Sequence, residues 1–594
     1  MICRSKSDEG VPLPMIRKLV RQMLAAQILS ALTVSVCLLI DNIMIGRYLG
    51  VKAIAAYGLA NPVLLIIGAI GSMLAAGVQV VCSRSLGRGS QEETNAGYSS
   101  AIAITAVVSL SFMALVLLFR TPLAKAMGAE GDEILLKDTR DYLAGFIIGA
   151  PASMGALILV PFMQMAGKSG LLIAAVLGMT VTDIGLDILN VTVLHGGMFG
   201  MGLASSLSYY VAMVMGAFYF LSKRSVFKFS TKRVSRKKIG ELFTGGVPAA
   251  FNMVSSVILI FCMNKLLLSV GGAVAVAAYT VVMTLGNASN CISTGTGGVA
   301  LTLSGILFNE EDQTGLKVLL GLLVRRAVAL GLAAGALLIG FAPFLVGLFI
   351  PEAGESQHMA IFGVRLFALG LLPCCINNAL KSSYQGVGRV RATEVISLLE
   401  GAGLPLLSAF VLSRFMGITG AWFFFFAGEL LTLIGILGYV CIKYRRLTIK
   451  TEDVLLLPDG FGVPREDLLE ADISHMGDVM ATSHAAEAFC RTHGGSSGLC
   501  WRVALFVEEM GSNIVTHGFD PQADNHLSMR LQHKDGRWTL RFRDDCGAFD
   551  PVHYVPAEGQ EAGMGIRIVL SMADEVRYTY SMNLNNLMVV KGDI

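Results

Sequence analysis

The stretch Leu38-Leu39-Ile40-Asp41-Asn42-Ile43-Met44 closes the first long apolar run of the chain, and its reading decides the fold. The run, from about 20 to 45, has the roughly 20 residues that cross a bilayer as a helix. It ends on a carboxylate, a side chain that is rare inside lipid and marks paired or functional sites there. Further runs of the same kind follow near 54–83, 97–119, 142–166, 170–194, 199–222, 241–269, 273–303, 318–349, 360–386, 393–414 and 419–442. The chain has 594 residues, 54% of them hydrophobic and only 15% charged, with a mean hydropathy of +0.65. Soluble domains carry roughly 25% charged residues, so most of this chain belongs in lipid as a polytopic all-α bundle of about twelve helices.

The formal charge of +3 hides an asymmetry. Residues 451–594 hold 11 Lys and Arg against 22 Asp and Glu, and the preceding part holds 35 against 21. The acidic tail argues against nucleic-acid binding, while basic loops between spans favour the cytoplasmic side. Between the sixth and seventh runs lie Lys223, Arg224, Lys228, Lys232, Arg233, Arg236, Lys237 and Lys238 with no acid among them. An even number of spans then places both termini in the cytoplasm, in agreement with Arg17, Lys18 and Arg21 before the first run and Lys443, Arg445 and Arg446 after the last. No cleavable signal peptide is expected, because the first run is long and continues past Asp41 without a small-residue cleavage site. The eleven Cys are scattered without metal-ligand spacing and read as reduced core residues.

The spans divide into two similar halves. Ala55-Ala56-Tyr57 recurs as Ala277-Ala278-Tyr279 and Pro151 recurs as Pro373, both at an offset of 222, and Gln164-Met165-Ala166-Gly167 faces Gln385-Gly386-Val387-Gly388. Internal repeats of this kind mark secondary transporters in which two bundles rock around a central cavity. Asp183 and Asp187 lie one turn apart in the fifth span and share a helical face. If that face meets the end of the first span, three carboxylates converge, and close carboxylates in a low dielectric hold a proton or a cation between them. Glu394, Glu400 and Glu429 are possible acids of the C-half, but each lies close enough to a span end that a solvated or snorkelling role fits at least as well.

On these residues the chain resembles the multidrug and toxic compound extrusion (MATE) family over about 15–445. The resemblance is carried by Ile40-Asp41-Asn42-Ile43-Met44-Ile45-Gly46-Arg47-Tyr48-Leu49-Gly50, by Ser83-Arg84-Ser85-Leu86-Gly87-Arg88-Gly89, by Pro151 and Pro373, and by Gly185-Leu186-Asp187. It implies a V of two six-helix lobes exporting organic cations in exchange for H+ or Na+, with Asp41, Tyr142, Asp183 and Asp187 matching the cation site of the N-lobe. Asp183 stands where many members carry Asn, which leaves the coupling ion open.

After Lys450 the apolar runs stop, and Pro458-Asp459-Gly460 and Gly494-Gly495-Ser496-Ser497-Gly498 signal turns. The spacing predicts helices near 472–493, 499–516 and 564–573, and strands near 526–533, 537–543, 576–582 and 586–591, an α/β sandwich with a hairpin at Lys534-Asp535-Gly536-Arg537. Three clusters stand out. Glu509 and Asn513 share a helical face, where a carboxylate and an amide oxygen can orient a hydroxyl and complete a Mg2+ sphere. Asp544-Asp545-Cys546-Gly547 after a strand offers an acid to an exocyclic amine. Gly563-Met564-Gly565-Ile566 leads into a helix and brings backbone N–H groups to phosphates.

In this order the clusters resemble the N, G1 and G2 boxes of the GHKL ATPase superfamily, closest to its anti-sigma-factor serine kinases. The resemblance implies ATP and Mg2+, with Glu509 as general base, Asn513 as Mg2+ ligand, Gly563 and Gly565 in the phosphate loop, and Asp544 or Asp545 on adenine, Asp544 being preferred. Residues 552–562 would form a short lid. The division expected is a cytoplasmic segment 1–17, an N-lobe 18–222, a basic loop 223–240, a C-lobe 241–446, a linker 447–460 read as a short tether, and an ATP-binding domain 461–594. The function expected is gradient-driven export of organic cations or drugs across a bacterial inner membrane, with a tail that regulates transport or phosphorylates an anti-sigma-antagonist-like partner. A membrane-anchored serine/threonine kinase with the bundle as ligand sensor is the alternative.

Overall fold

The structure is a computed structural model that describes residues 13–130, 132–222, 225–350, 354–445, 451–458, 460–520, 522, 525–554 and 564–592. Residues 1–12, Lys223, Arg224, Arg446, residues 447–450, Asp459, Gly563 and the expected lid from residue 555 onward lie outside them. The N-lobe comprises α1 (Leu13–Met44), α2 (Val51–Gly87), α3 (Gln91–Ala124), α4 (Glu133–Ile147), α5 (Ala150–Met165), α6 (Ser169–Leu189) and α7 (Gly197–Leu221). The C-lobe comprises α8 (Arg236–Ser289), α9 (Cys291–Asn309), α10 (Gln313–Gly347), α11 (Glu355–Gly386), α12 (Val390–Leu398), α13 (Leu404–Met416), the short α14 (Ile418–Ala421) and α15 (Phe424–Tyr444). Among the described residues eleven helices are long and apolar enough to span a membrane, or twelve if α4 and α5, bent by 47°, count as one span. Pro151 sits in the first turn of α5, where its missing N–H costs nothing, so it starts a new helix and does not break one. The long α8 is divided at Gly272, whose φ of 65° a side chain would resist.

Among the described residues the two lobes share an apolar core at one end. A single apolar core there takes Val81, Leu86 and Phe162 from the N-lobe and Val299, Ile306 and Tyr384 from the C-lobe. At the opposite end the cores are separate, one around Tyr57, Tyr142 and Met201 and the other around Tyr279, Phe367 and Trp422. The shape is a V. Its joined end depends on small residues that let backbones approach: a Cβ on Gly77 would lie 2.0 Å from the carbonyl oxygen of Leu242, and one on Gly246 2.0 Å from that of Met73. The expected repeat has a physical counterpart here, because Gly167 and Gly388 both take left-handed φ, 71° and 82°, just after α5 and α11.

The tail begins with α16 (Thr451–Val454) and folds into β1 (Leu468–Ile473), α17 (Met476–Thr492), α18 (Ser497–Asn513), β2 (Leu527–Lys534), β3 (Arg537–Asp544), α19 (Met564–Met572), β4 (Glu575–Ser581) and β5 (Leu584–Gly592). The sheet runs β1-β2-β3-β5-β4 with every pair antiparallel. Asp535 and Gly536 both have positive φ, the geometry a two-residue hairpin demands. Leu527, Met529, Leu531, Trp538, Leu540 and Phe542 pack one face against Val503, Phe506 and Val507 of α18.

One expectation is corrected. The helix expected from residue 472 starts at Met476, and residues 468–473 form an edge strand instead. The start signal is a capping box built on His475, whose Nδ1 accepts from the Asp478 amide at 3.2 Å while Asp478 accepts from the His475 amide at 3.1 Å. Histidine is not one of the residues that ordinarily mark a helix start. The described part of the linker is packed: Leu455, Leu456 and Leu457 are buried in the joined core and Arg389 Nε donates to the Leu456 carbonyl at 2.8 Å, while Phe461 just beyond it stacks on Phe308 with centroids 4.7 Å apart.

Candidate functional sites in the N-lobe and the tail

The end of α1 packs against α6 and α7, and this brings Asp41, Asp183 and Asp187 into one buried region. Asp183 and Asp187 are the charges that bear on Asp41. The three side chains are 5%, 3% and 0% exposed, so water does not solvate them freely. Ser205 Oγ donates to Asp41 Oδ2 at 3.5 Å, while Asp41 Oδ1, Asp183 Oδ1 and both oxygens of Asp187 find no donor among the described residues. Tyr142 is buried nearby with its ring edge-on to Tyr57 at 5.2 Å. A desolvated carboxylate oxygen without a donor is costly. A proton or a small cation supplies what is missing, so the arrangement can take up and release one.

The C-lobe holds a second polar cluster, and it decides between the two roles the sequence left open for Glu400 and Glu429. Glu429 is 3% exposed and accepts from Asn377 Nδ2 at 2.8 Å, and Glu400 takes both oxygens to Lys381 Nζ at 3.1 and 3.2 Å. Neither acid is solvated or snorkelling. Lys381 and Asn377 on α11 were missed, because a base and an amide four residues apart read as ordinary helix positions until α15 and the wide turn at Leu399–Gly403 close over them. Among the described residues, Cys374, Glu400 and Glu429 form a group whose donor atoms lie close enough for a metal ion. Lys381 already neutralises Glu400 there.

In the tail, β3, β5, α18 and α19 enclose a cleft of about 400 Å³ lined by Asn513, Asp544, Gly547, Ile566, Tyr578 and Asn585. Asp544, at the end of β3, is 3% exposed and accepts from Asn585 Nδ2 at 2.7 Å. Burial pushes its carboxyl up from the usual range, opposed by Asn585 and the Cys546 amide. Asp545 is engaged elsewhere and does not line the cleft. It accepts from the His526 amide at 2.8 Å and pairs with Lys18 of α1 at 3.0 Å, and these donors outweigh burial and hold its carboxyl below the usual range. Of the two registers left open by the sequence, only Asp544 faces the cavity. Glu509 lies one turn from Asn513 against the phosphate-loop position, so that a Cβ on Gly565 would sit 1.8 Å from Glu509 Oε2. Met564 begins α19, and Gly563 falls outside the described residues. Asn585 was missed by sequence reading, since an Asn pair inside a strand carries no motif. The cavity, the buried acid at its base and the amide beside it fit an adenine nucleotide with Mg2+.

A MatE family model matches residues 26–189, and a histidine kinase-like ATPase domain model matches residues 473–591. The multidrug export protein MepA of Staphylococcus aureus is 23% identical over 415 residues, covering 68% of this chain and 88% of that protein. The probable multidrug resistance protein YoeA of Bacillus subtilis is 22% identical over 443 residues, covering 70% of this chain and 92% of that protein. Among solved structures, a MATE transporter in complex with MaL6 superposes with a TM-score of 0.68 at 19% identity, over 74% of this chain and 98% of that one. An outward-facing multidrug resistance MATE transporter gives 0.66 at 21% identity with the same coverage. The chain is thus a multi-pass membrane protein of a bacterial transporter type joined to a nucleotide-binding domain. It carries a MATE domain with MATE homologues and structural neighbours, and its tail is a GHKL-type ATPase domain, which implies binding of ATP and Mg2+.

Proposed function

We propose that the protein exports organic cations or drugs in exchange for H+ or Na+ across a bacterial inner membrane, with both termini cytoplasmic, and that its tail binds Mg-ATP and regulates the exchange. The observation that carries the reading is the convergence of Asp41, Asp183 and Asp187, buried and with four carboxylate oxygens that find no donor among the described residues. Uptake of the cation on one side of the membrane and its release on the other shifts the population of the two lobe arrangements, which is what a gradient needs to drive the cycle. The V is open at the end away from the tail, an arrangement suited to release into the exterior.

In the tail, Asp544 accepts from the adenine amine, Asn513 completes the Mg2+ sphere, and the start of α19 receives the phosphates. Efflux of a fluorescent organic cation from proteoliposomes, under a pH or sodium gradient and with or without Mg-ATP on the tail side, tests both halves. Asp41→Asn should abolish efflux with folding intact, and full efflux in that variant would remove Asp41 from the mechanism. A second reading, transfer of phosphate to a protein hydroxyl with Glu509 as base, is favoured by the position of that carboxylate against Gly565. Its mark is labelled protein formed from radiolabelled ATP and lost in Glu509→Ala.

A further inference from the structure

The tail sheet has two faces, and the helices cover only one. The other meets the joined end of the V. Three consecutive acids in the α9–α10 loop of the C-lobe, Glu310, Glu311 and Asp312, each find a base on that face. Glu310, only 4% exposed, pairs with Arg543 and, at 3.2 Å, with Arg541, and accepts from Asn586 at 3.3 Å. Glu311 pairs with Lys534 at 2.6 Å and Asp312 with Arg530 at 3.4 Å.

The same sheet grips the N-lobe. Arg577 of β4 donates to the Arg88 carbonyl at 2.9 Å, in the α2–α3 loop. The β4–β5 turn reaches the α5–α6 loop, where the Met582 amide donates to the Met165 carbonyl at 2.6 Å and Asn583 Nδ2 to the Gly167 carbonyl at 2.8 Å. The fit is close, since a Cβ on Gly167 would lie 2.5 Å from the Asn583 nitrogen. Five of the eleven Lys and Arg in an otherwise acidic tail are spent on these contacts.

Side chains alternate along a strand, so gripping residues and cleft residues are immediate neighbours. Arg543 faces the bundle and Asp544 the cleft; Asn586 faces the bundle and Asn585 the cleft. The cleft is also tied to α1, because Asp545 next to Asp544 holds Lys18.

We propose that the tail is an inter-lobe brace, clamped at once on the α9–α10 loop of one lobe and the α2–α3 and α5–α6 loops of the other, and released by an adenine nucleotide entering the cleft behind its sheet. Rocking of two lobes about the cavity requires their joined ends to part. A body bonded to both ends opposes that parting, and a ligand can shift the balance only by binding the gripping and released forms unequally. A nucleotide against Asp544 and Asn585 acts one residue from the arginine and asparagine that hold Glu310. The inference rests on the reading that the tail regulates transport and adds the means.

Hydrogen–deuterium exchange of the full-length protein tests it, in detergent or nanodiscs. The double variant Arg541→Glu with Arg543→Glu should speed exchange about fivefold or more at 83–90 and 165–168 of the N-lobe and 305–309 of the C-lobe. The swap Glu310→Arg with Arg543→Glu should return these segments toward the parent. Mg2+ with a non-hydrolysable ATP analogue should produce the double-variant pattern in the parent protein. Faster exchange confined to 310–312 and the tail strands, with 165–168 unchanged, overturns the brace. If the double variant no longer binds a fluorescent ATP analogue, Arg577→Glu makes the same test from the N-lobe side. A parent protein whose lobe ends ignore the analogue overturns the nucleotide control. Efflux indifferent to Mg-ATP counts against the regulatory reading alone, since the exchange pattern judges the brace without it.

Discussion

The N-lobe and the C-lobe each bury acids at membrane depth, and they treat them in opposite ways. In the C-lobe, Glu400 has Lys381 and Glu429 has Asn377, so each carboxylate meets a donor from α11. In the N-lobe, Asp187 meets none among the described residues, and Asp41 only a long contact from Ser205. An acid inside a bundle is therefore informative through what it leaves unsatisfied. On the proposed function, the C-lobe pairs hold structure together and the N-lobe acids keep a place for a cation that comes and goes.

The sharpest way to break this contrast is to leave a C-lobe acid alone. Lys381→Ala should cost about 3–5 kcal/mol of stability, because removing one member of a buried pair leaves an uncompensated charge. A thermal melt of the purified protein reads it, and a change under about 1 kcal/mol would show that Glu400 finds another partner. In the N-lobe the expectation reverses. Asp187→Asn should leave the melt unchanged or raise it, since it removes a desolvated carboxylate, yet lower gradient-driven efflux about tenfold or more, which is roughly 1.4 kcal/mol or more in the barrier. Parent-like efflux with a collapsed melt would place Asp187 with the structural acids. A smaller effect sharpens the contrast: Lys381→Met with Glu400→Leu, which removes both charges and keeps apolar volume, should lie within about 1 kcal/mol of the parent in the melt.

Much of this architecture is legible in the sequence because lipid imposes one strong rule, about 20 apolar residues to a span. Twelve runs and the start of the tail follow from that rule, the two halves from motifs repeated at an offset of 222, and period-two alternation reveals β2 and β3 with their hairpin. What stays hidden depends on contacts between distant segments. Glu429 looks like a span-end acid until α11 brings Asn377 to it, 52 positions away. β1 is hidden because its core face is only Leu469, Ala471 and Ile473, a short alternation with a small residue in the middle, and the helix start beside it uses a histidine cap. Glu310-Glu311-Asp312 reads as a turn, and Arg541-Phe542-Arg543 as a strand with a solvated side. Only the fold puts one against the other, and a run of acids among basic loops facing alternate arginines on an acidic domain is the signal that could have paired them.

Glu470 is the intermediate case, and it gives the smallest effect. It lies on the bundle-facing side of β1 opposite Arg530, 3.6 Å from that guanidinium. Burial pushes its carboxyl up to about 7 against the pull of Arg530, helped by the charges of Asp312 and Asp472. Its folded value lies above its unfolded one, so the folded state binds the extra proton, and stability falls as pH rises from about 4.5 to about 7 and is flat for this group beyond. Glu470→Gln should remove that part of the slope, by about 1 kcal/mol or less after allowance for its partial exposure. Melts of parent and variant between pH 5 and 8 decide it. Parallel curves would mean that Arg530 keeps Glu470 ionised throughout, placing it with the satisfied acids of the C-lobe; converging curves at low pH would set it apart from them as an acid that burial leaves holding its proton.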